Sequence, residues 1–492
     1  MTRSHAPGTL ERLRAVLTST GLYQVAAHLD GERPVGRPPV NPGYVLLAYG
    51  ILARLTRSGT RVEVDLAEPH TWAYARTLMT QAEQRRALGL PEPAERPPTW
   101  DHWRWYRNHH LATDDALGVL ASVFPAQATA LARQVGLLDP HGPGSPTHPH
   151  PTRAVYGDGT TVRPMYRPPE TVMIDLPDGG QARRYLEPGT GQLLDDPPGR
   201  HDPDLREWHG AANWQQGHSY VAFHTRGPAP YQRVVLAVDH IPAPGAEANT
   251  AVDLLRDVHR HAKDGIQVVV YDGAFTGAHI DTIMTRYGYL TIAKMPTGEA
   301  AEQMTPPELV RTRDGRRARS YPLGTVTHTT PAGPCEHVLA TVGGHVTLID
   351  LDERGDPVAV GAATRGPVKR SRRATGAFHF NVGYTIPCTL EPFTVWLSPH
   401  AGPDGDTRRP HNLRVISETD PDFYTLRGLR SDAENYHANL KRTLLVDRAM
   451  SLGWRRGLVE NYCFCLLNNA LTEHRATQAV AAPTTLARVL HP

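Results

Sequence analysis

The stretch Ile266-Gln267-Val268-Val269-Val270-Tyr271-Asp272-Gly273 decides the fold. Its apolar run is short, rich in β-branched residues and closed by an aspartate and a glycine, which reads as a buried strand ending at Asp272. Upstream, Ala154-Val155-Tyr156 runs into Gly157-Asp158-Gly159-Thr160, a second strand that ends at an aspartate. Between the two, residues 219–224 and 233–238 alternate or run apolar as strands, and residues 250–262 carry apolar positions at helical spacing. Downstream come a helix over about 277–287 and a strand over 289–293. Three strands, a helix, then strand, helix and strand predict a mixed α/β layer.

Outward from this centre the texture changes twice. Residues 1–141 read as helical, with pieces at 10–17, 23–29 and 44–55, a turn at Gly36-Arg37-Pro38-Pro39, and a further helix opened by Thr99-Trp100 with Asp101 in its first turn. Short helices with Arg between them suit a small DNA-binding bundle, and suit any helical bundle nearly as well. Residues 142–152 (GPGSPTHPHPT) predict a linker, in which His148 and His150 read as solvated rather than metal-bound. The first part of the α/β core spans 153–297, with an excursion loop over 168–203. A β-rich insertion occupies 298–410, helices return over 411–480, and 481–492 is a tail.

Composition narrows the class of protein. Of 492 residues, 40% are hydrophobic and 21% charged, so a folded core is expected and a disordered chain is not. Lys+Arg 52 against Asp+Glu 50 leaves a formal charge of +2, too near balance to identify a polyanion partner without local clustering. Lys263, Lys294, Lys369 and Lys441 are the only lysines, so a lysine at a special position carries extra weight. No apolar run approaches the roughly 20 residues of a membrane helix. The opening Met1-Thr2-Arg3-Ser4-His5 leads into no signal peptide, and a cytoplasmic protein is expected. Four cysteines exclude a disulfide scaffold. Cys463 and Cys465 point to different faces of a helix and form neither a zinc pair nor a redox motif. Nothing resembles a Walker loop or a dinucleotide fingerprint.

Three acidic residues stand out by position: Asp158 and Asp272 at strand ends, and Glu434 in a helix beginning near Leu429. Ligands collect at the carboxyl ends of strands in α/β sheets. Two such aspartates plus a helix glutamate suit two divalent ions, since Mg²⁺ takes hard oxygen ligands and shares them with phosphates. Singly, each has an ordinary explanation, turn chemistry for the aspartates and a solvated helix face for the glutamate. The helix around Glu434 adds weight. At about 100° per residue, Arg430, Glu434, His437 and Lys441 fall on one stripe, joined by Arg427 if the helix reaches back that far. Leu429, Ala433, Leu440 and Leu444 fall on a neighbouring apolar stripe. Cations gathered around one carboxylate fit a site for metal plus phosphate.

At these residues the chain resembles the insertion-sequence transposases of the DDE class, in the subgroup with a Tyr/Arg/Glu/Lys signature. Arg430, Glu434 and Lys441 reproduce the Arg/Glu/Lys spacing. Asp158 in Tyr-Gly-Asp-Gly-Thr resembles the first catalytic aspartate, and Asp272 in Tyr-Asp-Gly-Ala-Phe the second. The long interval from Asp272 to Glu434 is similar to members carrying a β-rich insertion. Residues 36–59 resemble the family's N-terminal segment and residues 453–469 its closing helix. The signature's Tyr falls at position 427, which is Arg427 here, with Tyr424 one turn earlier.

The resemblance implies an RNase H-like mixed-sheet catalytic core, split by the β-rich insertion and preceded by a helical N-terminal, DNA-binding domain. It implies a transposase that binds terminal inverted repeats and performs metal-dependent strand cleavage and transfer. Asp158, Asp272 and Glu434 would be catalytic and hold Mg²⁺ (or Mn²⁺). Arg427, Arg430, His437 and Lys441 would face DNA. Double-stranded DNA, as transposon ends and target, is the expected partner, with nucleoid association, no membrane, and a homodimer on DNA as one assembled form. The alternatives are a non-catalytic DNA-binding derivative and a metal-dependent nuclease on the same fold. The run Lys369-Arg370-Ser371-Arg372-Arg373 in the insertion reads equally as a DNA contact and as a solvated loop. Trp396 in Thr-Val-Trp-Leu reads as a core residue, with base stacking as the alternative.

Overall fold

A computed structural model describes residues 8–30, 40–177, 179–209, 214–229, 231–295, 308–312, 315–402, 405–444 and 448–481. The Gly36-Arg37-Pro38-Pro39 turn, the first residues of the insertion and the tail lie outside the described residues. The fold is mixed α/β, and its sheet contains both antiparallel and parallel pairs.

The N-terminal part is helical: α1 (Thr9–Thr18), α2 (Thr20–Asp30), α3 (Gly43–Thr56), α4 (Gly59–Ala67), α5 (Pro69–Gln81), α6 (Glu83–Ala87), α7 (Trp100–Tyr106) and α8 (Asp114–Gln134). Side-chain caps start three of them. Ser58 accepts from the Arg61 amide, Thr99 from His102 and Thr113 from Ala116, each satisfying an amide the helix leaves open. The α3 helix is apolar on nearly every side and buried throughout residues 43–54. A side chain at Gly50 would strike the indole of Trp103, so the glycine lets α7 approach. At 21 residues α8 is long and apolar enough to cross a bilayer. It packs instead on α2, α9 and the sheet, and half of its most apolar window is buried, as in a core helix.

The central sheet follows: β1 (Ala154–Val162), β2 (Thr171–Asp175), β3 (Gln181–Leu186), β4 (Leu193–Leu194), β5 (Arg206–His209), β6 (Trp214–Arg226), β7 (Arg233–Ile241), α9 (Glu247–Ala262), β8 (Val268–Val270), α10 (Gly277–Thr282) and β9 (Leu290–Ile292). Across the main sheet the order is β7, β6, β1, β8, β9. The β6 strand pairs antiparallel with β7 and β1, while β1, β8 and β9 run parallel. The start of β6 also pairs with β5. Asp158 does not end its strand, as the following glycine suggests. β1 continues four residues further, to Val162. Residues 168–203 are not all loop either, because β2, β3 and β4 form a small antiparallel sheet there. Its strands are short and half-exposed, and the Pro- and Gly-rich background conceals them.

The insertion makes two bodies. β10 (Glu308–Arg311), β11 (Arg317–Thr330), β12 (Gly333–Val342), β13 (His345–Leu351) and β14 (Pro357–Ala362) close into a barrel. β15 (Thr364–Arg372), β16 (Phe378–Ile386) and β17 (Phe393–Leu397) form a three-stranded sheet. Four helices end the described chain: α11 (Arg408–Asn412), α12 (Pro421–Gly428), α13 (Ser431–Arg442) and α14 (Trp454–Ala481). The helix expected to begin near Leu429 is α13, with Arg430 at its N-cap, and a separate helix, α12, precedes it. Arg427 belongs to α12, so the stripe holding Arg430, Glu434, His437 and Lys441 does not extend back to it.

Buried charges fix these parts to one another. Arg365 of β15 pairs with Asp420, the cap of α12, and lies 2.7 Å from Asp422. Arg365 and the Val368 amide also bond Thr147, and the His150 amide donates to Gln267 at 3.0 Å. Residues 142–152 are thus tied to the core at Thr147 and His150, while His148 stays 75% exposed. His148 contacts Asp422 and His150 contacts Thr152. At the other end, Glu460 of α14 is 3% exposed and sits 2.8 Å from Arg107 and 3.7 Å from Arg54. The helical layer, the sheet and α14 thus share one continuous core.

Removing one partner of a buried ion pair strands the others, at a cost of about 3–5 kcal/mol, while an exposed pair contributes about 1 kcal/mol or less. Glu460→Ala should therefore lower the unfolding free energy by about 3–5 kcal/mol in urea titration. Asp65→Ala, which breaks the exposed Arg61–Asp65 pair of 2.9 Å, should change it by less than about 1 kcal/mol. Equal effects would mean that the contacts of Glu460 with Arg54 and Arg107 add no more than an exposed pair does.

Candidate active site

The parallel register of β1 on β8 pairs Ala154 with Val268, Val155 with Val269 and Tyr156 with Val270. Asp158 and Asp272 each lie two residues beyond the last of these pairs. Adjacent strands are about 4.8 Å apart, so the two aspartates leave the sheet from neighbouring positions. The glycines around Asp158 answer to crowding rather than to a turn. A Cβ at Gly157 would stand 2.7 Å from the Tyr271 ring and would strike Phe223, and one at Gly159 would stand 2.6 Å from the Glu247 carboxylate. Beyond β8, Asp272 Oδ1 accepts the Ala274 amide at 2.8 Å and so shapes the turn that carries it.

Helix α13 lies against β1 and is clamped from below. Its Asp432 is buried between Arg226 and Arg233, the latter at 2.6 Å. Ala433, Tyr436 and Leu440 fill its inner face, and the Tyr436 hydroxyl meets Cys465 Sγ of α14 at 3.3 Å. Glu434 points the other way and is 67% exposed. Arg430 joins the two sides, with Nη2 3.2 Å from Asp158 Oδ1 and Nη1 3.4 Å from Glu434 Oε1. Asp158 itself has only 13% of its side chain exposed. Burial raises its pKa to about 6, Arg430 opposes the rise, and the negative charges of Asp272 and Glu434 add to it.

His437 is placed differently from the sequence expectation. It is buried, with Nε2 3.7 Å from Asp158 Oδ2. Burial, with the positive charges of Lys441 and Arg430 nearby, pushes its pKa down to about 3. It is a neutral ring lining the carboxylate site, not an outward DNA contact, because the helix turns this position inward beside Tyr436. His224 beneath it is buried and likewise lowered to about 3. Lys441 is half-buried one turn beyond His437. On α12, Arg427 rests over the Phe423 ring at 5.6 Å, while Tyr424 is 72% exposed.

The basic run lies on β15 and the turn after it. Arg370 is tied to Asp264 at 3.2 Å and to the Gly288 carbonyl, and serves the fold. Arg372 lies over Phe378, and Arg373 donates to His379. Lys369 sits over Trp396 at 4.1 Å. Trp396 is 43% exposed rather than in the core, because its strand is at the edge of a three-stranded sheet and alternate residues face outward.

One residue of the site escaped the sequence reading. Glu247 begins α9 and would pass for an ordinary first-turn acid. Its carboxylate is folded in behind β1, where Oε1 accepts the Tyr271 hydroxyl at 2.8 Å. Burial raises its pKa to about 7, the Tyr271 bond counteracts this, and Asp272 and Asp158 add repulsion.

Asp158, Asp272 and Glu434 lie in one region, but their carboxylate oxygens are not gathered within 4.8 Å of one another, and the Arg430 guanidinium stands between Asp158 and Glu434. Comparison with known proteins adds no relative: the chain matches no protein-family model and no curated protein.

The raised carboxyls make stability fall with pH. Each favours its protonated form in the fold, so its contribution is present below the ordinary value, 3.8 for Asp158 and 4.5 for Glu247. It is lost as pH rises through about 6 and about 7 respectively. Melting curves without divalent ions should show a decline from about pH 4 to about pH 7, and Glu247→Gln should remove its upper part. An unchanged decline in that variant would mean Glu247 ionises normally.

Proposed function

We propose that this protein is a DNA transposase of the DDE class, cutting and joining DNA with Mg²⁺ or Mn²⁺ at Asp158, Asp272 and Glu434. The observation that carries this reading is that Asp158 on β1 lies beside the strand leading to Asp272 and feels both that charge and Glu434 across Arg430. Support comes also from the strand order β7, β6, β1, β8, β9, with three antiparallel strands followed by two parallel ones. A mixed sheet is what the RNase H-like core implied by the sequence resemblance would need.

Asp158, Asp272 and Glu434 would hold the ions. When bound, such ions supply an activated water or 3′-hydroxyl and stabilise the leaving oxygen of an in-line displacement. Arg430 neutralises Asp158 and Glu434 in their absence and turns to a DNA phosphate in their presence. Lys441 extends that cationic line along α13. Neutral His437 and His224 wall the inner side with groups that do not compete for the carboxylates. Glu247, near half-protonation at neutral pH, keeps the layer behind β1 from adding a full negative charge.

Two experiments test the reading. Asp272→Ala should bind duplex carrying the repeats that flank its gene as tightly as the parent chain, and should neither cut nor join it in Mg²⁺ or Mn²⁺. Cleavage by that variant would remove Asp272 from the site. Cleavage without joining by the parent chain would make it a nuclease, and binding without cleavage a binding module. In a salt titration of DNA affinity, Lys441→Ala should flatten the slope by about one unit while stability changes by no more than about 0.5 kcal/mol. An unchanged slope with a large loss of melting temperature would make Lys441 a structural residue.

A further inference from the structure

Far from the carboxylates, the barrel and the sheet beside it bring four soft ligands together. His328 of β11 pairs in register with Cys335 of β12. His337, two residues on, projects from the same face as Cys335. Cys388 arrives from the connection between β16 and β17. One donor atom from each of the four residues lies within 4.8 Å of all the others. Cys335 Sγ is 3.2 Å from His337 Nε2, and the two thiols are free and in contact.

We propose that His328, Cys335, His337 and Cys388 form a tetrahedral structural zinc site. Zn–S bonds of about 2.3 Å and Zn–N bonds of about 2.0–2.1 Å set ligand separations of about 3.3–3.8 Å, so small side-chain adjustments close the cluster around one ion. A second observation points to a ligand: both ring nitrogens of His328 are shielded from water and have no hydrogen-bond partner among the described residues. A buried polar group in that state is costly, and coordination satisfies it. The outer shell is in place as well. The Leu390 amide donates to Cys388 Sγ at 3.4 Å, and Phe393 stacks on His328 at 3.9 Å and lies 5.2 Å from the His337 ring. Two thiolates and two neutral imidazoles favour Zn²⁺ over the hard ions suited to carboxylates. On binding, each Cys S–H gives its proton to solvent as an S–Zn bond forms. Two negative thiolates then balance the 2+ ion, and the site is neutral.

The position gives the ion a task. β13 pairs with β12 only from Val338 onward, and β10 pairs with β11 only as far as Ser320. Residues 325–337 are therefore a two-stranded arm beyond the barrel, and a lone hairpin is marginally stable at best. The ion would pin that arm to the β16–β17 connection and so hold the sheet bearing Lys369 and Trp396 against the barrel.

The test uses the full chain, purified without chelator and dialysed against metal-free buffer. Atomic emission should find about one zinc per chain, and Co²⁺ added to stripped protein should give thiolate charge-transfer bands with the intense visible bands of a tetrahedral ion. Cys335→Ser and His328→Asn should each cut retained zinc to about one tenth or less. Asp272→Ala should keep zinc and spectrum unchanged, which separates this site from the carboxylates whatever becomes of the transposase reading. Should the single variants fail to fold, the Co²⁺ spectrum of the parent chain still decides. A weak octahedral spectrum, zinc far below one per chain with both thiols reactive, or a Cys335–Cys388 disulfide would each overturn the proposal.

Discussion

Three residue pairs hold β1 against β8, and the placing of Asp158 beside the strand that leads to Asp272 depends on them. Parallel strands cannot be joined by a tight turn, so the 105 residues between Val162 and Val268 must leave the sheet and return. They do so as β2 to β7 and α9. The return brings Asp272 to the level of Asp158 and lays Glu247 behind both. A register slip of one residue would turn the aspartate of the slipped strand to the other face of the sheet. The glycines at 157 and 159 guard the arrangement from the opposite side, since any larger residue would push away the rings and carboxylate packed there.

Charge completes what the register begins. Helix α13 is tethered through a buried aspartate to two arginines on β6 and β7, which leaves its outer face free to carry Glu434. Arg430 then spans the space between that helix and the sheet. The inner wall is built from histidines that burial keeps uncharged, so the negative charge is not diluted from within. Raised proton affinity at both Asp158 and Glu247 follows first from their burial and then from the neighbouring negative charges.

The sheet was legible where apolar runs are uninterrupted, as at Val234-Val235-Leu236-Ala237-Val238 and Val268-Val269-Val270. Such runs have few structural alternatives. Asp272, Glu434 and Arg430 could be singled out because a strand-end turn and a one-sided helix leave marks in local spacing, and Asp158 because two glycines flank it, although they serve packing rather than a turn. What could not be read was set by tertiary approach. Glu247 looks like any helix-start acid until Tyr271 is seen to donate to it. His437 shares a helical stripe with Arg430 yet faces inward, since α13 rolls toward β1 and the break at Leu429 and Arg430 frees it from α12. The four soft ligands span 61 residues with no repeated spacing, and only the meeting of two sheets brings them together. The short strands β2, β3 and β4 are lost in a background where proline and glycine are common everywhere.

The pairing of Glu460 with Arg54 and Arg107 sets an order on the life of the chain. The helices that form first during synthesis bury two guanidinium groups whose counter-charge is made more than 350 residues later. Until α14 emerges from the ribosome, the helical layer has an uncompensated charge and an open apolar face where that helix will dock. A chain interrupted anywhere before α14 would carry Asp158 and Asp272, and even Glu434, without the strut that holds sheet and helices as one body. Premature termination should therefore yield material for chaperones and proteases rather than a partly working fragment.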